Sequence, residues 1–411
     1  MTLPRVLHPF AVPARPADQF LEIVRGESCR IWDAAGRSYL DGTASLWYCA
    51  AGHGRREIID AIAAQLSELE AYHTFARFTN RPEQRLAELL LDLEPIPDAR
   101  VFFTCGGSEA IDSALKLARA GHKAAGDGGR QVILSRHYAY HGVMLGGTSA
   151  GGLPANRDPF GTLLPDFFQV DRDSLAAMRD AVAYYGAERI AAIVAEPVIG
   201  AGGVFPPPDG YLAGLRELCD DSGALLIFDE VITGFGRLGS WFASRHYGVT
   251  PDLMTFAKAV TSGYQPLGGV IVGPRLRSWL EADPDYLLAH GNTYGGHPTC
   301  CAAGIANVEL MRAENLPERA AAAGARLRAG LDGLRGKRGV AEVRGEGLMQ
   351  AIGLEAPLTA GMFTEALLDR GVIGRALGYA NSVAYSPPLI ISDEEVDELV
   401  DATGAVLDEL G

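Results

Sequence analysis

Short apolar runs at about 101–103, 132–134, 190–194, 225–228, 253–256 and 270–272 alternate with stretches of helical periodicity. No other feature constrains the fold as much. A strand that returns parallel to its neighbour needs a crossover of about a dozen residues or more, usually a helix. The alternation therefore predicts an α/β fold around a mainly parallel sheet. Helical periodicity at about 57–69 and 82–93 precedes the first run, and an Ala/Arg-rich helical pattern over about 302–330 leads away from the last. Residues 1–45 begin proline-rich and then read as a hairpin, with strand-like pieces at 29–33 and 38–40 about a turn at Ala35 and Gly36. Beyond 330, strand-like and helical runs alternate again. We therefore expect a large domain over 46–301 and a smaller α+β domain over 302–411, joined by the N-terminal segment 1–45. A length of 411 residues suits that division.

A formal net charge of -15 argues against nucleic acid or an anionic membrane as partner, since both reward clustered Lys and Arg. Small anionic ligands, which need one or two local cations, stay open. Cys29, Cys49, Cys105, Cys219, Cys300 and Cys301 are scattered without a CxxC pair or a histidine at metal-ligand spacing, so no metal is expected. They read as reduced, buried cysteines. No apolar run approaches membrane-spanning length and no secretory leader is visible, which leads us to expect a cytoplasmic protein.

The chain has only four lysines. Lys337 lies in a basic glycine-bounded turn, Lys123 at a helix end where a cation suits the dipole, and Lys116 four residues after Asp112, a helical pairing distance. Lys258 differs. It follows the apolar run LMTF, has alanines on both sides, and precedes Gly263, Gly268 and Gly269. Such surroundings depress a lysine pKa and leave a free amine for Schiff-base chemistry. Alone, it could also be a lysine snorkelling from a strand end.

Asp229 and Glu230 close the run ALLIFDEV, and Lys258 closes the next run 29 residues after Asp229. That interval fits one helical crossover and brings Asp229 and Lys258 to the carboxyl edge of neighbouring parallel strands, where open α/β sheets bind ligands. A carboxylate there can keep the pyridine nitrogen of pyridoxal 5′-phosphate (PLP) protonated. By itself Asp229 could be a turn carboxylate; with Lys258 the cofactor reading is preferred. A phosphate cradle is offered by FFTCGGSEAIDSALKLA, where Gly106, Gly107 and Ser108 sit between a strand and a helix start. Gly234, Gly236 and Gly239 match the GxGxxG dinucleotide pattern. Residues intervene between strand and glycines, however, and no acidic residue stands about 20 positions on at a strand tip, so a nicotinamide enzyme is a minor alternative.

Together these stretches resemble the class III aminotransferases of PLP fold type I. LDGTASLWYCAAGHG, FFTCGGSEAIDSALKLAR, AYHGV, AEPVIGAGGV, LLIFDEVITGFGRLG, TFAKAVTSGYQPLGGV, HGNTYGGHP and VRGEGLM occur in the family's order and cover nearly the whole chain. The resemblance implies a mainly parallel seven-stranded sheet sandwiched by helices, with a smaller α+β domain built from both termini. It implies that Lys258 holds PLP covalently and then shuttles the proton, and that Asp229 pairs with the pyridine nitrogen. Val231 and Tyr140 would sandwich the ring. Gly107 and Ser108 would bind the phosphate, joined by Thr293 from the second subunit of a homodimer. Glu196 would belong to the hydrogen-bond set behind the cofactor. His141 is a further cofactor-site candidate, with a half-buried ring residue as its plainer reading.

Relatives acting on ω-amino acids commonly carry, near 200–203, a glutamate that masks an arginine; Ala201 stands there instead. Trp47, the YHTFARF loop with Phe75, and GVIGRALG with Arg375 resemble the amine:pyruvate group. In that group aromatic walls face the donor and an arginine grips the keto acid's carboxylate. Ala76 departs from this pattern where relatives often place a second aromatic. The implied activity is ping-pong transfer of an amino group from an amine or ω-amino donor to a small keto acid such as pyruvate. A decarboxylase, an aminomutase or a non-catalytic sensor on the same fold are the alternatives.

Overall fold

The computed structural model describes residues 3–93 and 96–411; Met1, Thr2 and residues 94–95, the first two of them part of the N-terminal segment 1–45, lie outside the described residues. Seven strands form the central sheet in the order Arg100–Thr104, Gly268–Val272, Leu253–Phe256, Leu225–Asp229, Ile190–Ala195, Val132–Arg136, Phe167–Val170. Gly268–Val272 runs antiparallel to both of its neighbours, and every other pairing is parallel. The α/β expectation and the seven-stranded, mainly parallel sheet are met.

The central strands are buried along their whole length, which is why they read as continuous apolar runs rather than alternating ones. Each Leu, Ile or Val shut away here contributes about 1.5–3 kcal/mol of transfer free energy. The helix Gly107–Ala124 covers one face with Ala110, Ile111, Ala114, Leu115, Leu117 and Ala118, a spacing that keeps one stripe on the sheet, and Lys123 lies in its last turn. Phe167–Val170 escapes the sequence pattern. It is a four-residue edge strand, half-exposed over three positions, so it lacks a continuous apolar signal.

Both ends of the chain meet beside this sheet. Arg30–Asp33 and Ser38–Asp41 form the expected hairpin, Ile23–Glu27 adds to it as a third antiparallel strand, and Val372–Ile373 adds to Ser38–Asp41 in parallel. Val340–Glu346, Met349–Leu354, Ser382–Tyr385 and Arg375–Leu377 make a further antiparallel sheet. The single helical pattern expected over 302–330 is two helices, Pro298–Ala313 and Leu316–Asp332. Asn315 adopts a left-handed φ of +50° between them, and Pro317, having no N–H, can stand only in the first turn of the second. Among the described residues, no helix is long and apolar enough to cross a membrane.

Candidate active site

At the carboxyl edge of the sheet lies a cavity of about 990 Å³, lined by Gly107, Ser108, Tyr140, His141, Glu196, Asp229, Val231, Lys258, Trp47 and Arg375 among others. Ten of the twelve site residues expected from the sequence therefore share one space. Asp229 is the last residue of its strand and pairs in register with Thr255 of the adjoining one, three residues before Lys258. The register explains why an interval in the sequence becomes a contact in space: the two strands end together.

Lys258 starts a short turn with φ +49°, so its side chain leaves the sheet edge and enters the cavity. Burial lowers its pKa to about 8, against the opposing pull of Asp229 and Glu196. At neutral pH a lysine with that value keeps a far larger free-amine fraction than a solvated one. Its Nζ lies 5.7 Å from the centroid of the Trp47 ring. Arg375 approaches the same indole, with Cζ 5.8 Å from the ring centroid. Burial pushes the Arg375 pKa down, and its Nε meets no hydrogen-bond partner among the described residues.

Asp229 is buried and accepts three hydrogen bonds: from His141 Nδ1 at 2.8 Å, from the Thr255 hydroxyl at 3.2 Å and from the Val231 N–H at 3.2 Å. A carboxylate offers about four acceptor positions, so one stays open toward the cavity. His141 is 1% exposed, a correction to its reading as a half-buried ring, and it orients the carboxylate from behind. Glu196, also buried, accepts the Tyr140 N–H at 2.9 Å and the Gly200 N–H at 2.8 Å, while burial pushes its carboxyl pKa up. It thus ties the turn carrying Tyr140 to the segment that ends at Ala201, which also lines the cavity. Glu230 points away and caps the turn at 243–244, accepting the Ala243 N–H at 2.6 Å and the Ser244 N–H at 2.7 Å.

Two expected residues are not brought into the cavity. Phe75 and Thr293 are exposed and lie outside its lining. They sit on one outer face, since the Thr74 hydroxyl donates to the Gly295 carbonyl at 3.0 Å and Gly291 faces the Phe75 ring. Gly234, Gly236 and Gly239 occupy turns, and the next helix begins only at Ala243, so they form no helix N-terminal cradle. Lys116 approaches His290 Nδ1 at 3.0 Å rather than Asp112, which accepts the Gly146 and Gly147 N–H groups. Thr255 and Gly142 are site residues that sequence reasoning missed. A single threonine in the otherwise apolar run LMTF was the available signal for the first.

The cavity fits PLP on its own chemistry. The first-turn N–H groups of the helix Gly107–Ala124 have no intrahelical acceptor, and Gly106 faces open space where a Cβ would meet nothing. Gly107 instead abuts Val231, whose Cγ1 would stand 2.8 Å from an added Cβ. A phosphate suits the helix start, a pyridine nitrogen the open position on Asp229, and an aldehyde the Lys258 amine.

Residues 12–407 match the family described as Aminotransferase class-III. The chain is 37% identical to a beta-alanine–pyruvate aminotransferase of Pseudomonas aeruginosa, over 94% of this chain and 91% of the relative. It is 38% identical to an omega-aminotransferase of Caulobacter vibrioides, over 91% and 90%. An amine transaminase from an uncultivated Pseudomonas species, solved in its PLP-bound form, superposes with a TM-score of 0.95 at 38% identity and 99% coverage of both chains. The chain belongs to the class-III aminotransferase family and is a PLP-dependent aminotransferase.

Proposed function

We propose that this enzyme transfers an amino group from an amine or ω-amino donor to a small keto acid such as pyruvate, in two half-reactions that share one site. The observation that carries the reading is that two cations approach the Trp47 ring inside one cavity, the Lys258 amine at 5.7 Å and the Arg375 guanidinium at 5.8 Å from its centroid. Bound PLP supplies an electron sink that stabilises negative charge on the substrate carbon losing its proton. The chain supplies the rest. Lys258 would hold the cofactor through its Nζ, and the same Nζ would serve as the base that takes the proton from the donor carbon and as the acid that gives one back. Asp229, braced by His141, keeps a negative charge facing the pyridine nitrogen. Tyr140 and Val231 hold the ring between them, Gly107 and Ser108 receive the phosphate, and Glu196 fixes the Tyr140 turn. Trp47 walls an uncharged donor, and Arg375 grips the carboxylate of the keto acid.

Relatives named for pyruvate as acceptor support the choice of keto acid. The reading extends to a homodimer. Tyr72, Phe75, Phe78 and Tyr294 expose apolar rings on the face that carries Thr293, and a second copy seated there would bring Phe75 and Thr293 to its neighbour's cavity. It extends also to a large domain over 46–301, a small one over 302–411 with segment 1–45, and a cytoplasmic location. The test is direct. Holoenzyme should show a visible absorption band that an amine donor bleaches and pyruvate restores. Lys258→Ala should lose both covalent PLP and turnover, and a Lys258→Ala protein that kept them would refute the reading.

A further inference from the structure

The turn Ala44–Trp47, which carries Trp47 into the cavity, is strained. Ala44, Ser45 and Trp47 have φ of +46°, +59° and +62°. Ser45 combines its positive φ with ψ of -97°, outside the left-handed helical well. Residues other than glycine hold such angles only where their surroundings over-determine them.

Asp41 does so here. Its side chain is 1% exposed. Oδ2 accepts the Ser45 N–H at 2.7 Å and His53 Nε2 at 3.0 Å, and Oδ1 accepts the Thr43 N–H at 3.3 Å. An ionised carboxylate only accepts, so His53 carries its proton on Nε2. The Thr43 carbonyl in turn accepts the Trp47 N–H at 2.9 Å, which closes the turn. Asp41 also ends the strand Ser38–Asp41, where it pairs with Ile373, two residues before Arg375. Gly42 lies so close to that partner that a Cβ would stand 2.4 Å from the Ile373 carbonyl. Trp47 and Arg375 thus hang from one short parallel ladder.

We infer that Asp41, which touches neither substrate nor cofactor, is a positioning residue that fixes Trp47 against Arg375 and so sets which donors the cavity accepts. The inference rests on the reading of Trp47 as the donor wall. Asparagine cannot replace Asp41, because each carboxylate oxygen faces a backbone N–H. Whichever way the amide turns, its NH2 meets a donor, and the strained turn loses a tether. The His53 interaction is a third tether that either orientation leaves weakened or displaced.

The experiment is a double-variant cycle on the holoenzyme. Asp41→Asn should raise the donor KM about tenfold while kcat changes little, and should admit bulkier donors. Trp47→Ala should shift the donor KM too, and adding Asp41→Asn to it should change that KM no further. In protein labelled with 5-fluorotryptophan, the fluorine resonance of Trp47, assigned through Trp47→Phe, should move in Asp41→Asn while those of Trp32, Trp241 and Trp279 hold. Independent effects of the two substitutions on donor KM, or an unmoved Trp47 resonance, would overturn the inference and leave the donor-wall reading standing. An unchanged donor KM in Trp47→Ala would remove the wall and the role of Asp41 with it. Should Asp41→Asn not fold, His53→Ala withdraws one donor and should produce the same shifts in smaller measure; their absence there would overturn the inference as well.

Discussion

His141 Nδ1 stands 2.8 Å from Asp229 Oδ2, and both side chains are shut away from solvent. Because the carboxylate can only accept, the histidine donates, and the far nitrogen Nε2 is left without a partner among the described residues. Thr255 and Val231 supply the other two donors to Asp229. The carboxylate is therefore aimed before any cofactor arrives. His141→Phe, which preserves most of the ring volume and so limits cavity formation, removes one of three donors. A hydrogen bond to a charged group is worth about 1.5–3 kcal/mol. PLP should then bind about tenfold to a hundredfold more weakly to apoenzyme, as read by titration of the visible band, and an unchanged affinity would show that His141 does not orient Asp229.

Gly142 reaches the phosphate cradle without being part of it. Its φ is +96°, and a Cβ there would stand 2.6 Å from Ser108 Oγ and 2.8 Å from Ser108 Cα. Ser108 accepts the Val143 N–H at 3.1 Å, so the hydroxyl is already held by this same turn. Gly142→Ala should combine backbone strain with a clash, each costing about 1–3 kcal/mol. A lowered melting temperature together with weakened PLP binding is expected. If stability fell while PLP affinity held, the cradle would not depend on this approach.

Lys258 predicts a pH dependence whose sign can be worked out. Burial sets its pKa at about 8 in the folded, cofactor-free protein against 10.5 for an ordinary lysine. Between those values the unfolded chain binds the extra proton, so this group adds stability as pH rises through the window and costs stability below it. The full difference amounts to about 3 kcal/mol. Lys258→Met should therefore unfold at higher denaturant concentration than wild-type apoenzyme at pH 7, and the gap should narrow as pH is raised from about 8 toward 10.5. A gap that stayed constant with pH would mean that the amine is solvated.

The pairing of Asp229 with Lys258 was legible because parallel strands ending together turn a sequence interval into proximity, and because lysine is scarce here. The edge strand Phe167–Val170 was not, since only one flank of it is paired and the half-buried Gln169 interrupts its short apolar run. Nor was the burial of His141, whose partner lies 88 positions away and depends on how a turn folds back over the sheet edge. Pro317 carried a readable signal that the Ala/Arg-rich pattern outweighed. Phe75 and Thr293, expected at the site from the family motifs, lie exposed outside the cavity lining of this chain.

Arg375 tests the acceptor half of the reaction apart from the donor half. Its guanidinium projects from the strand Arg375–Leu377 into the cavity, and its Nε has no hydrogen-bond partner among the described residues. Burial without a carboxylate partner disfavours the charge, as the lowered pKa reflects. An incoming carboxylate relieves that cost, and planar two-point contact suits it better than a lysine ammonium would. Removing one partner of a buried charge pair costs about 2–5 kcal/mol. Arg375→Ala should accordingly slow the keto-acid half-reaction, in kcat/KM for pyruvate, by about thirtyfold to several thousandfold. Single-turnover bleaching of the holoenzyme by an uncharged amine should change little, because that substrate presents no carboxylate. Arg375→Lys should recover only a fraction of the loss. Equal losses in both half-reactions would mean that Arg375 shapes the cavity instead of selecting the acid, and no loss in the second half would remove it from the site.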